Sequence, residues 1–149
     1  MNELVSPEAI SRYLGGKKLL GGSITDRREL AQVTSRGIPY ASAFYLLGLL
    51  GATQKEMAGL LGINIRTLNR NRQSGARMDP GASDRAYRVA RILALATEVL
   101  EDEEAARRWL HEPQMALGGE TPLHLVALGG SGPEEVEELL MRMEYGIYA

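Results

Sequence analysis

Apolar residues recur along most of this chain at the three- and four-residue spacing of amphipathic helices. The spacing predicts a short helix over residues 26 to 33 and a second over residues 40 to 50, just after Pro39. A third apolar stripe predicts a long helix that begins near Ser83 or Asp84 and ends at about residue 100. No stretch sustains the alternation of polar and apolar residues that a half-buried β-strand requires. We therefore expect an all-α fold.

The two ends of the chain lead to different expectations. Residues 1–22 contain a plausible helix start at Ser6 and Pro7 but also two glycine pairs, so we expect a loosely packed arm. Beyond residue 100, caps and prolines predict three short helices, over residues 102–110, after Thr121 and over residues 134–143. We expect two domains, which are residues 1–100, including the arm, and residues 101–149.

Residues 53–72 carry the most informative local pattern. Thr53 and Glu56 have the spacing of a capping box, in which each side chain accepts a hydrogen bond from the other residue's backbone amide. Gly62 then ends the first helix, and Asn64 caps a second helix after a three-residue connection. Two short helices joined in this way indicate a helix-turn-helix that binds DNA.

The second helix of this segment is predicted to run from Ile65 to about Arg72, with Ile65 and Leu68 directed inward. Its other side chains are mostly long donors and amides, which match guanine edges, adenine and phosphates in a major groove. The alternative is an ordinary helical hairpin with a solvated basic face. We assign DNA binding to seven residues of the segment, namely Gln54, Asn64, Arg66, Thr67, Asn69, Arg70 and Arg72.

Charge is distributed unevenly along the chain, although the net charge is only -2. Residues 53–91 contain eight basic residues and three acidic ones, whereas residues 98–149 contain three basic residues and twelve acidic ones. DNA attracts the first region and repels the second, which indicates two surfaces with two different partners. Uneven solvation of one domain is the alternative. Within the basic region, Arg85, Arg88 and Arg91 either extend a phosphate-binding surface or pair with Asp84 or with the acidic tail.

Several classes of function find no support in the sequence. There is no cysteine, and therefore neither a disulfide framework nor a thiolate metal site. His111 lies beside Glu112 rather than at the i, i+4 spacing of a helical metal site, and His124 lies among leucines. No nucleophile-base pair or phosphate-cradling loop is present. We expect no metal, no cofactor and no enzymatic activity.

The sequence also bears on location. No apolar run approaches the roughly 20 residues that a helix needs to span a bilayer. The N-terminus lacks the basic flank and apolar core of a signal peptide. We expect a cytoplasmic protein without a membrane partner.

Two groups of motifs in this chain form a known pattern. The C-terminal group comprises Trp109-Leu110, Ala116-Leu117-Gly118-Gly119, Thr121-Pro122-Leu123 and Glu144-Tyr145-Gly146-Ile147-Tyr148. The group in the basic region comprises Arg66-Thr67-Leu68 with Arg70, Ser83-Asp84-Arg85 and Arg88-Val89-Ala90-Arg91. With these motifs, roughly residues 44–149 resemble the Xre/MbcA/ParS antitoxins, whose partners are toxins of the RES-domain type.

The resemblance implies an Xre-like helix-turn-helix domain followed by a small helical toxin-binding domain. It implies an antitoxin that represses its own operon and neutralises a RES-domain toxin by covering the cleft where NAD enters. Such toxins degrade NAD or transfer ADP-ribose from it. The composition agrees, since an acidic module is steered toward a cleft that accommodates a pyrophosphate. The implied toxin-binding residues are Trp109, which also builds the core of the small domain, and Glu144, Tyr145, Gly146, Ile147, Tyr148 and Ala149.

The sequence departs from the family's pattern in two places. Asn71 stands where the family commonly has a second arginine, which puts one phosphate or base contact in doubt. The connector over residues 74–81 is richer in glycine and proline than is usual, and we expect it to loosen the helix that follows.

DNA binding through one short helix requires a dimer, because a single recognition helix buries too little surface. We therefore expect a homodimer on operator DNA, within a larger toxin-antitoxin complex. The helices over residues 40–50 and 83–100 are candidates for the dimer interface, although both are equally explained as core. The alternative function is a stand-alone transcriptional regulator with an acidic protein-interaction domain.

Overall fold

The computed structural model describes residues 4–146, whose regular structure is helical apart from one isolated bridge between Pro39 and Arg77. This confirms the expected all-α fold. The helices are α1 Pro7–Tyr13, α2 Gly16–Leu20, α3 Arg27–Arg36, α4 Tyr40–Leu50, α5 Gln54–Leu61, α6 Ile65–Arg70, α7 Pro80–Leu100, α8 Glu103–His111, α9 Pro122–Leu128 and α10 Gly132–Glu144, with a 3-10 turn at Met115–Leu117. None of these helices is both long and apolar enough to cross a bilayer.

Helix α7 lies at the centre of the fold and contacts α1, α3, α4, α5, α8 and α10. Its buried residues extend from Ala82 to Ala96 and cover more than one face of the helix. This is the pattern expected of a helix enclosed by others. Ala82, Ala86 and Ala90 are buried at four-residue intervals, and their small side chains let neighbouring helices approach closely.

Helix α7 begins earlier than the sequence analysis predicted. The first helical residue is Pro80, and the side chain of Asp79 caps the helix by accepting a hydrogen bond from the Ala82 amide at 2.8 Å. The predicted start near Ser83 or Asp84 is therefore wrong. A proline at the first position needs no amide donor, and its backbone angle already suits a helix, so the Asp-Pro pair was the better start signal.

The connector before α7 does not loosen this helix, contrary to the expectation. Its backbone pairs with the loop between α3 and α4, since the Met78 amide donates to the Ile38 carbonyl at 2.8 Å and the Tyr40 amide donates to the Ala76 carbonyl at 3.1 Å. Met78 itself is only 2% exposed. The glycine and proline content suggested a looser helix, but these long-range contacts hold the segment before α7 in place.

The N-terminal segment is also better packed than expected. Val5, Ile10 and Leu14 are buried in the main core, and α1 packs against α7. For residues 4–22, the prediction of a loosely packed arm is therefore wrong. The i, i+4 spacing of Ile10 and Leu14 gives α1 an apolar edge, while Gly15 and Gly21, both with positive φ, only mark the ends of helices.

The helices beyond residue 100 are attached to the rest of the fold by direct contacts. Helix α8 covers the end of α4, where Arg107 Nε donates to the Leu49 carbonyl at 2.9 Å and His111 Nε2 lies 2.8 Å from the Leu50 carbonyl oxygen. Helix α10 packs on α7 and α9, and α9 also contacts α5. Buried residues from both sides of the proposed boundary at residue 100 form one continuous core, and the two-domain division stays a prediction.

Ser83 joins the start of α7 to this core and provides a test of the connector's packing. Its fully buried hydroxyl accepts a hydrogen bond from the Ile38 amide at 2.8 Å and donates to the Met78 carbonyl at 3.2 Å. Ser83→Ala leaves both backbone groups without this partner, so we expect the free energy of unfolding to fall by about 1–3 kcal/mol in urea denaturation. Ser23→Ala, at an exposed serine, is the control. Equal stability of the two variants would contradict the proposed role of the buried hydroxyl.

Candidate functional site

Helices α5 and α6 form the helix-turn-helix that the sequence predicts. The capping box at the start of α5 is confirmed, with the Thr53 amide 2.8 Å from Glu56 Oε1 and the Glu56 amide 3.0 Å from Thr53 Oγ1. Gly62 ends α5 with φ near +69°, a conformation that favours glycine. Three residues then connect the two helices, as predicted.

Asn64 caps α6 and keeps part of its side chain available. Its Oδ1 accepts a hydrogen bond from the Arg66 amide at 2.7 Å. The Nδ2 group has no hydrogen-bond partner among residues 4–146, so it is free to donate to an external acceptor. Leu68 is fully buried and anchors the inner face of α6. The cap and the anchor together hold α6 against the core.

The outward face of α6 is polar and unpaired. Arg66, Asn69 and Arg70 are all exposed, and none of their side chains has a hydrogen bond or ion pair within the described part of the chain. Ile65 is 40% exposed, so the prediction that it points inward is wrong. The inward position at the entrance of α6 is occupied instead by Ile63, which packs against the core from the turn.

The other predicted DNA-binding residues are less accessible or differently placed. Gln54 and Thr67 are half-buried. Helix α6 ends at Arg70, so Arg72 lies beyond it, and the Arg72 guanidinium stacks over the Phe44 ring at 4.8 Å from the ring centre. This stacking orients Arg72 while leaving the residue exposed.

Asn71, the departure from the family's pattern, has a structural role. Its Nδ2 donates to the Thr67 carbonyl at 2.8 Å, and its Oδ1 accepts a hydrogen bond from the Ser74 hydroxyl at 3.0 Å. These bonds close the end of α6. Asn71 therefore stabilises the C-terminal end of α6.

The three arginines of α7 divide between the two alternatives left open by the sequence. Arg91 pairs with the acidic tail, since its Nε lies 2.8 Å from Glu137 Oε1 on α10. Burial disfavours the charged guanidinium, but the hydrogen bond and charge of Glu137, together with Tyr87, outweigh this cost and raise the pKa of Arg91. Arg91 is thereby engaged in an internal ion pair, although 31% of its side chain remains exposed.

Arg85 and Arg88 are half-buried and have no ion pair among residues 4–146. Both line a crevice between α7 and the end of α9. The Arg85 guanidinium also lies against the turn of the helix-turn-helix, where a side chain built on Gly62 would come within 3.0 Å of its Nε. Unlike Arg91, these two arginines remain available to a phosphate.

A second surface extends along α10 and past its C-terminal end. Glu134, Glu135 and Glu138 are exposed along this helix, and Tyr145, which follows it, is 55% exposed. Of the predicted toxin-binding residues, Glu144, Tyr145 and Gly146 are exposed. The remaining C-terminal ones, Ile147, Tyr148 and Ala149, lie outside the described residues.

Trp109 differs from the other predicted toxin-binding residues. It is only 9% exposed, and Gln114 donates a hydrogen bond to its carbonyl at 3.1 Å. The expected position in the core is confirmed, and the side chain offers little surface for direct contact. Sequence reasoning missed two apolar side chains near this core, Met115 at 96% and Leu128 at 64% exposure. Their apolar character suggested burial, and only the packing of neighbouring helices shows that they face outward.

Comparisons with known proteins agree with this arrangement. A model of the antitoxin Xre-like helix-turn-helix domain matches residues 29–91, and a model of the antitoxin Xre/MbcA/ParS C-terminal toxin-binding domain matches residues 95–146. The chain belongs to the Xre/MbcA/ParS antitoxin family. Both family models describe binding domains, in agreement with the expectation that the chain is not an enzyme.

Two curated relatives are similar to this member of the Xre/MbcA/ParS family. Antitoxin Xre of Pseudomonas putida is 32% identical over 84 residues, which are 56% of this chain and 52% of the relative. Antitoxin Xre of Yersinia enterocolitica is 30% identical over 95 residues, which are 63% of this chain and 64% of the relative. The chain therefore spans between half and two thirds of the length of these relatives.

The pair between Arg91 and Glu137 joins the two matched regions and is testable. Glu137→Gln keeps a neutral acceptor but removes the charge, so we expect the free energy of unfolding to fall by about 1 kcal/mol. Urea denaturation measures this difference. Glu138→Gln removes the same charge from an exposed neighbour on α10 and is the matched control. If both variants lose equal stability, the pair does not secure α10 to α7.

Proposed function

We propose that this chain is the antitoxin of a type II toxin-antitoxin system, with a RES-domain toxin as its protein partner and operator DNA as its second ligand. Residues 144–149 occlude the NAD cleft of the toxin, and α6 represses the operon by binding the operator. One observation carries the proposal. The exposed donors of α6 have no partners within the described residues, and the same chain contains a toxin-binding domain. That domain ends in the exposed residues Glu144 and Tyr145.

The chemistry of α6 supports operator binding. Arg66 and Arg70 are separated by one helical turn and lie opposite Leu68, the buried anchor. Arginine donates to guanine edges and to phosphates, and the amide of Asn69 pairs with adenine. Asn64 adds a free amide at the start of the helix. The four side chains thus provide both positioning and base-reading contacts.

The chemistry of the C-terminal surface supports toxin neutralisation. A cleft that receives NAD must accommodate a pyrophosphate, which favours a basic lining. The exposed glutamates of α10 are attracted to such a lining over a distance, which raises the rate of encounter. Tyr145 then supplies an aromatic side chain suited to anchor the complex.

Repression further requires two copies of α6, because operators of this kind contain two half-sites about one helical turn apart. We propose a homodimer that is part of a larger complex with the toxin. In the isolated chain, Leu46 and Leu50 of α4 and Ile92 of α7 are almost fully buried, whereas Tyr45 of α4 is 45% exposed. The buried side chains belong to the core and are poor candidates for the dimer interface.

Removing the two central arginines of α6 tests the DNA-binding half of the proposal. We expect Arg66→Ala/Arg70→Ala to lower the affinity of the chain for its operator DNA at least about 100-fold. Each lost base contact costs about 1–3 kcal/mol per half-site. Electrophoretic mobility shift measures this loss. Arg12→Ala/Arg36→Ala removes the same charge from exposed positions on α1 and α3 and is the control. Normal binding by the first double variant would refute the assignment of α6.

Deleting residues 144–149 tests the toxin-binding half. We expect cells that produce the truncated antitoxin together with the neighbouring RES toxin to lose viability, because the NAD cleft is no longer covered. The purified truncated protein should still bind operator DNA. It should not inhibit the toxin, which should continue to consume NAD in its presence. Glu8→Gln, at an exposed carboxylate on α1, removes one negative charge outside the toxin-binding domain and is the control.

The same co-expression separates the proposal from a stand-alone regulator. An antitoxin co-purifies with the toxin and suppresses NAD consumption. A stand-alone regulator does neither, although it still binds DNA. Survival of cells that contain the toxin and the truncated protein would count against occlusion by residues 144–149.

A further inference from the structure

Ile65 is an exposed apolar residue at the first position of α6. Its exposure of 40% contrasts with Leu68 in the same helix, which is fully buried. The neighbouring residues Asn64 and Arg66 are polar and exposed. Ile65 is therefore an apolar residue between two polar residues whose side chains can donate hydrogen bonds.

The packing of α6 does not require an isoleucine at this position. The residue before a helix cap and the fourth helical residue often form an apolar pair that fixes the entry of the chain. These two positions are occupied by Ile63 and Leu68, and both pack in the core. Isoleucine is also only a moderate helix former, so it contributes little to α6 by propensity. Ile65 is accordingly left without a structural function.

The helical geometry places Ile65 beside the proposed base-reading residues. With Leu68 inward, and at roughly 100° per residue, Arg66 and Arg70 occupy the centre of the outward face. Ile65 and Asn69 lie one turn apart along one flank of this face. A ligand that contacts Asn69 and Arg66 therefore also meets the Ile65 side chain.

DNA offers a definite apolar partner to such a side chain. In the major groove, the 5-methyl group of thymine is the apolar group on the base edges, whereas the other groups are donors and acceptors. The first residues of a recognition helix are those that reach the bases. We propose that Ile65 is a specificity-determining residue that contacts a thymine methyl in each operator half-site. This inference rests on the proposed DNA binding by α6.

The neighbours of Ile65 favour DNA over a protein as the partner. A protein that covered Ile65 would also cover Asn64, Arg66 and Asn69, whose donors then need acceptors at each position. A major groove presents acceptors on bases and phosphates beside the thymine methyl. One apolar side chain among several donors thus matches a major groove, in which a thymine methyl lies beside hydrogen-bond acceptors.

Replacing thymine by uracil tests the contact, because uracil keeps the hydrogen-bonding groups and lacks only the methyl group. The probe is the duplex that the full-length chain selects from a random DNA library, with each thymine replaced in turn. We expect one position in each half-site at which uracil weakens binding by about fourfold, the value for losing one buried methyl group. Ile65→Ala should bind the thymine duplex more weakly and no longer distinguish thymine from uracil there.

Two further variants control the result. Ile65→Val keeps a branched apolar side chain and should still distinguish thymine from uracil. Leu128→Ala removes an exposed apolar residue from α9 and should change neither affinity nor discrimination. Because Ile65 is exposed, all variants should have the thermal unfolding midpoint of the unaltered chain within a few degrees.

The outcomes distinguish this inference from the proposed function. If the chain selects a sequence and needs Arg66 and Arg70, but no uracil position matters, the thymine contact is refuted and DNA binding stands. The contact is equally refuted if Ile65→Ala still discriminates at the sensitive position. If the chain selects no sequence at all, both the proposed function and this inference fail.

Discussion

The burial of α7 is the constraint on which the rest of the structure depends. A helix of this length that is apolar on more than one face is stable in water only when other helices enclose it. The small residues Ala82, Ala86 and Ala90 allow close approach on one side, and Ile92 and Leu93 fill space further along. Six other helices cover α7 as a result, five of them from the two matched regions and α1 from the segment that precedes them. The placement of each functional surface follows from this enclosure.

The two surfaces are consequently held by packing rather than joined by a flexible linker. Helix α5 supports the DNA-binding side and α10 carries the acidic side, and both rest on α7. Polar contacts reinforce this arrangement, through Arg91 with Glu137 and through Arg107 and His111 at the end of α4. The exposed arginines of α6 and the exposed glutamates of α10 are thus kept on separate helices, as the two proposed partners require.

The sequence predicted the features that depend on a few neighbouring residues. The box of Thr53 and Glu56, the turn at Gly62 and the cap at Thr121 are local, because the groups that bond lie within four residues of each other. Features that depend on distant partners were not predictable in this way. The docking of α1 requires the surface of α7, and the order of the connector requires the Ile38 carbonyl, which no local pattern reveals.

Residues 64–71, which are α6 and its two caps, likewise divide into residues that hold the helix in place and residues that face outward. Asn64, Leu68 and Asn71 hold the helix through a cap, a buried side chain and a closing hydrogen bond. Ile65, Arg66, Asn69 and Arg70 make no such contacts, so the fold places no comparable demand on their identity. Changes at the holding residues alter the stability of the helix, whereas changes at the outward residues alter what it binds. Asn71 therefore belongs to the holding residues, and the base reading proposed for α6 rests on the residues earlier in the helix.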